Sequence, residues 1–148
     1  MTKKIILGLL LVLLAIQLIR IDKTNPPVDE SKDFIALTHP SEEVAALLTT
    51  ACYDCHSNAT AYPWYFNVAP VSWWLKHHVN EGREHLNFSE WANYDAEKQA
   101  HKLDEMAEEI KESEMPLSSY TVTHSNAILS LQQRDQLVKF IQSIAVVK

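Results

Sequence analysis

Glycine is almost absent from this chain, and its scarcity limits the folds that the chain can adopt. Only two glycines, Gly8 and Gly82, occur among 148 residues. Tight β-hairpin turns and phosphate-binding loops both depend on glycine, because its backbone reaches conformations that other residues avoid. The sequence therefore predicts an all-α fold, and its length predicts a single domain with a hydrophobic core.

The N-terminal segment is apolar and has basic residues on both sides. Lys3 and Lys4 precede the largely apolar stretch 5–19, and Arg20 follows it. This layout is typical of a signal peptide or a signal anchor. Bulky residues after Leu14 disfavour a cleavage site, so we expect residues 1–20 to remain as a transmembrane helix. The protein would then be a single-pass protein of the cytoplasmic membrane with its domain in the periplasm.

The remainder of the chain divides into a spacer and a helical domain. Residues 21–33 are polar and contain two adjacent prolines, which predicts an extended spacer. Residues 34–148 form the predicted domain. Capping residues and apolar residues at helical spacing predict four helices in it. These helices begin after Ser41, near residues 67–70, near Asp95 and at Ser130.

One short motif carries the most specific chemical signal in the sequence. Cys52, Cys55 and His56 follow one another in the order Cys-x-x-Cys-His, which is typical of covalent haem attachment. Two thiols at this spacing can form thioethers with the two vinyl groups of one porphyrin, and the next imidazole can then bind the iron. We therefore predict one haem c attached to Cys52 and Cys55, with His56 as an iron ligand.

Two other interpretations of the cysteines are a redox dithiol and a structural zinc site. A redox dithiol needs its first cysteine at a helix N-terminus, whereas the helix after Ser41 is predicted to run directly into Cys52. A zinc site needs two more ligands, and the remaining histidines form no pair at a suitable spacing. Both interpretations are less favoured than haem.

Met115 is the first candidate for the second iron ligand. Pro116 follows it and disfavours helical geometry at Met115, so the methionine side chain should project from a loop. A thioether ligand raises the reduction potential of a haem, whereas ordinary packing is the simpler role of a methionine. Histidine is the alternative ligand, and the candidates are His77, His78, His85, His101 and His124.

Aromatic residues are numerous for a chain of this length, with four tryptophans and five tyrosines. A porphyrin is flat and packs well on aromatic rings, and indole or phenol groups can bind its propionates. Packing in an ordinary core is the competing explanation. The aromatic residues predicted to line the haem pocket are Tyr62, Trp64, Trp73, Trp74, Trp91 and Tyr120.

The charge of the chain bears on its partners. The net charge is −6, which argues against a nucleic acid as a partner. Acidic residues are concentrated in the segment 104–114, where Lys111 is the single basic residue. A solvated helix face explains this segment. The more specific hypothesis is a docking surface for a positively charged redox partner.

The chain resembles the haem-binding domain family, whose members are short proteins with a c-type attachment motif. The resemblance rests on residues 52–58, 62–65, 69–75, 78–83, 86–91 and 114–116 and on Tyr120. It implies a helical arrangement similar to a small class I cytochrome c. It also implies thioether links at Cys52 and Cys55, His56 as the proximal ligand and Met115 as the distal ligand.

The leading functional hypothesis is one-electron transfer by a monohaem c-type cytochrome, which transforms no substrate. The alternative is a haem-based gas or redox sensor, or a small peroxidase, in which the sixth coordination position is open or labile. A third possibility is a haem-bearing subunit of a larger oxidoreductase.

Overall fold

The computed structural model of the protein describes residues 1–144. Over this range the chain is helical and contains no strand, so the predicted all-α class fits. The α-helices are α1 (Thr2–Ile16), α2 (Phe34–Thr38), α3 (Glu42–Ala51), α4 (Tyr53–His56), α5 (Val71–His85), α6 (Ala96–Glu112), α7 (Ser118–Thr121) and α8 (Leu131–Ser143). Residues 145–148, the end of the predicted domain, lie outside the described residues.

The four helices predicted from the sequence correspond to α3, α5, α6 and α8, and two of them begin at the predicted capping residues, Ser41 and Ser130. Ser41 Oγ accepts a hydrogen bond from Val44 N, which caps α3. Asp95 caps α6 in the same way, and Ser130 forms a reciprocal capping box with Gln133 at the start of α8. Such caps satisfy backbone amides that have no partner inside the helix.

The hydrophobic core lies between α2, α3, α6 and α8. Phe34 of α2 is fully buried, and its ring centroid lies 5.1 Å from that of Phe88 and 4.9 Å from that of Trp91. Leu48 of α3 and Leu137 of α8 are also fully buried in this cluster. Because α6 packs on α8 and α4 packs on α5, the chain forms two helix pairs.

The predicted transmembrane helix is wrong. Within residues 1–144, no helix combines the length and the hydrophobicity that crossing a membrane requires. Helix α1 has 15 residues and is therefore about 22 Å long, whereas the hydrocarbon core of a bilayer is about 30 Å thick. The single-pass localisation in the cytoplasmic membrane depended on that helix and is corrected with it.

At the end of α1, Gln17 binds the backbone of a distant residue. Its Nε2 donates to Ala69 O and its Oε1 accepts from Ala69 N, both at 2.9 Å. Further along, Trp73 Nε1 donates to Ile19 O at 3.1 Å, and Asn25 Nδ2 donates to Thr60 O at 2.9 Å. The segment after α1 therefore lies along α5 and the loop that follows α4.

Candidate haem site

A cavity of about 560 Å³ lies between the α4 and α5 pair on one side and α6 with the following loop on the other. Its volume falls in the range of roughly 300–1,000 Å³ that is usual for ligand and cofactor sites. Cys52, Cys55, His56 and Met115 all line it. The structure thus brings together the two predicted attachment sites and both predicted iron ligands.

The attachment motif occupies a junction between two helices. Helix α3 ends at Ala51, and Cys52 has φ −128° and ψ −40°, which interrupts the helix. One new turn, α4, then begins, with His56 N donating to Cys52 O at 2.9 Å. The first helix therefore runs up to Cys52, as the sequence predicted, whereas the short helix that follows it was not predicted. Cys52 is both the C-cap of α3 and the N-cap of α4, so the helix-dipole objection to a redox dithiol does not decide the matter by itself.

The surroundings of the two thiols give a separate reason against a redox dithiol. Burial raises the pKa of Cys52 to about 12 and that of Cys55 to about 11. The neighbouring thiol adds to the effect at Cys52, and the Asp54 carboxylate adds to it at Cys55. A reactive dithiol needs a lowered pKa, because the thiolate is the nucleophile. Both thiols are instead protonated at neutral pH.

The His56 imidazole is held by the backbone at the end of α5. Its Nδ1 lies 3.1 Å from Leu86 O, so a proton on Nδ1 makes a hydrogen bond to this carbonyl. Burial lowers the pKa of His56, which keeps the ring neutral. A neutral ring with its proton on Nδ1 leaves the Nε2 lone pair available for a metal.

Helix α5 approaches the attachment motif at Gly82. A Cβ added to this residue would lie 2.8 Å from Cys55 O and 3.1 Å from Cys55 Cβ. Contacts this short are not tolerated, so any side chain here would push α5 away from α4. One of the two glycines of the chain thus has a structural role, because Gly82 lies where α5 packs against the backbone of α4 in one wall of the cavity.

The loop after the motif is held by a buried polar network. Ser57 and Asn58 are almost completely buried. Arg83 Nε donates to Ser57 O at 2.7 Å, and its guanidinium also donates to Asn25 Oδ1 and Thr60 Oγ1 at 2.8 Å. Because buried polar groups need partners, this network fixes the chain on leaving His56.

Met115 lies in the loop after α6 and lines the cavity on the side that faces α4 and α5. Ser113 adopts a left-handed conformation with φ 68°, which ends the helix. The amides of Glu114 and Met115 then donate to Glu109 O at 3.0 and 3.2 Å. Arg134 of α8 donates to Met115 O at 2.6 Å and to Ile110 O at 2.9 Å. These bonds hold the half-buried Met115 beside the cavity.

The five histidines considered as sixth ligands are dispersed. His78 and His85 line the cavity. His77 and His101 lie outside its lining, each within 3.3 Å of a glutamate one turn along its helix. His124 stacks on Tyr120, with ring centroids 4.0 Å apart, and its Nε2 lies 3.0 Å from Tyr65 Oη.

The predicted aromatic residues divide between the cavity and other places. Tyr120 lines the cavity, and its hydroxyl donates to Asp54 Oδ2 at 2.7 Å. The other five, which do not line it, are Tyr62, Trp64, Trp73, Trp74 and Trp91. Trp64 is 76% exposed, whereas Trp91 is 3% exposed and packs in the core. Phe88 lines the cavity instead, beside His56.

Helix α6 supplies cavity residues that the sequence analysis assigned to the core or to the docking surface, or to neither. Lys102, Glu105, Met106 and Glu109 line the cavity at helical spacing. The repeat of three and four residues was visible in the sequence, but it predicted only a core face. Within residues 1–144, no group of three or more histidine, cysteine or acidic side chains is arranged to hold a metal ion by itself, which disfavours the zinc interpretation.

The residues of the cavity suit a haem. They supply two half-buried protonated thiols, an imidazole with one nitrogen available, a thioether and mainly apolar walls. The haem-binding domain family matches residues 11–143, nearly the whole chain. The chain belongs to this family and is a haem-binding protein. No curated protein and no solved structure matches it.

Proposed function

We propose that the protein is a monohaem c-type cytochrome that transfers single electrons. The observation that supports this function is the meeting of Cys52, Cys55, His56 and Met115 at one cavity. The haem supplies the redox chemistry when it is bound, because its iron alternates between two oxidation states. No step requires a substrate site.

The residues of the chain would bind and orient the haem. Cys52 and Cys55 would bind its vinyl groups as thioethers. His56 would be the proximal ligand, oriented by the carbonyl of Leu86. Met115 would be the distal ligand, supported through its carbonyl by Arg134. The apolar walls would exclude water, which together with a thioether ligand favours the reduced state.

The acidic residues of α6 support a docking surface close to the haem. The six acidic residues in 104–114 are all exposed, and two of them, Glu105 and Glu109, also line the cavity. Electron transfer requires a short distance between cofactors, so a surface beside the cavity is well placed. We infer that a redox partner with a positively charged surface binds there.

Covalent attachment is tested by the behaviour of the haem in acidified acetone. Wild-type protein, expressed in a host that matures c-type cytochromes, should keep its haem and give the pyridine haemochrome spectrum of a dithioether haem. The Cys52→Ser, Cys55→Ser double variant should release it. Wild-type protein that loses its haem to acidified acetone would contradict the proposal.

The role of Met115 is tested by Met115→Leu, with Met106→Leu as the control. Both methionines line the cavity, and leucine is close to methionine in volume. Loss of a thioether ligand should lower the reduction potential and allow carbon monoxide to bind the ferrous haem readily. Met106→Leu should change neither property. Ready binding of carbon monoxide by the wild type would instead favour the sensor or peroxidase.

A further inference from the structure

The cavity lining carries three carboxylates and one permanent cation. The carboxylates belong to Glu81, Glu105 and Glu109, and the cation is Lys102. A haem brings two propionates, and each adds a negative charge. Placing these charges beside three carboxylates is unfavourable unless a cation or another hydrogen-bond donor accompanies them.

Lys102 is held at the cavity by its neighbour on α6. Its side chain is only 14% exposed, and its Nζ donates to Glu105 Oε2 at 2.6 Å. His101 Nε2 lies 3.1 Å from the other carboxylate oxygen of Glu105. Glu105 is the single hydrogen-bonding partner of this ammonium group in the part of the chain that the structure describes. An ammonium group has three N–H donors, so two remain for a ligand.

The position of Lys102 agrees with the chemistry of the porphyrin. The vinyl and propionate groups lie at opposite edges of the ring. Thioethers at Cys52 and Cys55 would fix the vinyl edge against α4, and the propionates would then point away from α4. Lys102 lines the cavity from α6, which is the wall contributed by the other helix pair.

We propose that Lys102 binds a haem propionate and that Glu105 positions its ammonium group. The inference rests on haem binding, which the family establishes, and its argument on orientation rests on the proposed attachment at Cys52 and Cys55, whereas it is independent of electron transfer. Lys102 would offset the charge of a propionate that lies near the three carboxylates of the lining.

The test compares two porphyrins, ferric haem and its propionate dimethyl ester. Each is titrated into the full-length apoprotein with the cysteines kept reduced, and binding is measured from the Soret absorbance. The Lys102→Gln variant should bind haem about tenfold more weakly, since an ionic hydrogen bond is lost. Its affinity for the ester should be unchanged, because the ester carries no propionate charge.

Two further variants make the comparison specific. Lys111→Gln removes the same charge from an exposed position of α6 outside the cavity, and it should affect neither porphyrin. Lys102→Arg keeps a cationic donor and should restore most of the affinity for haem.

Other results would overturn the assignment. If Lys102→Gln lowered the affinity for haem and for the ester equally, Lys102 would have a packing role. If it lowered neither affinity, Lys102 would not contact the propionate. The wild type alone gives a further test, since equal affinity for the two porphyrins would contradict the proposal without any variant. Failure of the wild type to bind either porphyrin would contradict haem binding itself.

Discussion

The two walls of the haem cavity are built in different ways. On the α4 and α5 side, Gly82 lies against the backbone of Cys55, and Arg83 binds the loop after His56 through two hydrogen bonds and Asn25 through a third. On the opposite side, Met115 lies just after α6, and its backbone carbonyl accepts a hydrogen bond from one side chain, that of Arg134. The first wall depends on close backbone packing, and the second depends on a few hydrogen bonds.

This difference bears on the two predicted iron ligands. The ring of His56, which is half-buried, is oriented by a carbonyl at the end of α5. Met115 is half-buried, and the hydrogen bonds that hold it involve only its backbone. We therefore expect the proximal ligand to tolerate little change around it. The distal ligand should be the one that can be displaced without unfolding the protein.

The largest effect is expected at the closely packed wall, from Gly82→Ala. The added Cβ would lie 2.8 Å from Cys55 O, and this backbone atom cannot move without shifting the attachment motif. The free energy of unfolding should fall by about 2 kcal/mol even after the gain in helix propensity. Urea denaturation measures the change.

Gly8→Ala is the matched control, because a Cβ at Gly8 has no atom within 4 Å. It should leave haem content unchanged and raise the free energy of unfolding by at most about 1 kcal/mol, through helix propensity alone. If Gly82→Ala were also not destabilising, the close approach of α5 to α4 would not be the feature that fixes this wall.

An intermediate effect is expected at the opposite wall, from Arg134→Met. This change removes the side-chain donor from the carbonyls of Met115 and Ile110, of which Ile110 O keeps the amide of Ser113, at a cost of about 1–2 kcal/mol. Because the loop is then held less firmly, carbon monoxide should bind the ferrous haem about tenfold more tightly than in the wild type. Titration of the Soret band measures this affinity.

Lys139→Met tests whether a lost charge on α8 is enough to produce the effect. Lys139 is exposed and pairs only with Asp135 one turn away in the described chain, so its removal should not alter ligand binding. Equal ligand affinities for Arg134→Met and the wild type would mean that Met115 does not depend on Arg134.

The smallest effect is expected behind the first wall, from Tyr53→Phe. The Tyr53 hydroxyl donates to Asp33 Oδ1 at 2.8 Å, while its ring stacks on Phe88 with centroids 5.0 Å apart. Phenylalanine keeps the stacking and loses the hydrogen bond, which should cost about 1 kcal/mol at neutral pH. Tyr62→Phe, whose hydroxyl has only a 3.4 Å contact with Lys76, should cost less.

The same substitution should change the response to alkali. Burial, followed by the hydrogen bond to Asp33, raises the pKa of Tyr53. Above about pH 10 an unfolded tyrosine loses its proton while the folded one keeps it, so rising pH favours unfolding. The free energy of unfolding of the wild type should therefore fall above about pH 10, and that of Tyr53→Phe should fall less steeply. Parallel curves for the two proteins would contradict this role of burial.

Much of the helical structure was predictable, because its signals are local. Ser41 and Ser130 each cap the helix that the sequence assigned to them, and α6 begins after Asp95, close to its predicted start. The new turn after Cys52 was not predictable from propensity, since no proline or glycine marks it. This turn, α4, packs on α5, where Gly82 meets Cys55.

The candidate site was predictable only in part. The spacing of Cys52, Cys55 and His56 and the position of Met115 before Pro116 identified four residues that meet at the cavity. The aromatic residues show the limit of such inference. Trp91 packs against Phe34, which is 57 positions earlier in the chain, and Trp64 is exposed. Composition cannot tell which face of a helix or turn an indole occupies.

The sequence by itself determined the helical class, the helix starts and the order of thiols and imidazole, because each depends on residues a few positions apart. The tertiary structure decided which side chains share the cavity. It also joined the end of α1 to Ala69, through the bonds of Gln17, and it placed Lys102 among the lining residues. These outcomes depend on contacts between residues far apart in the chain, and a local pattern does not encode them.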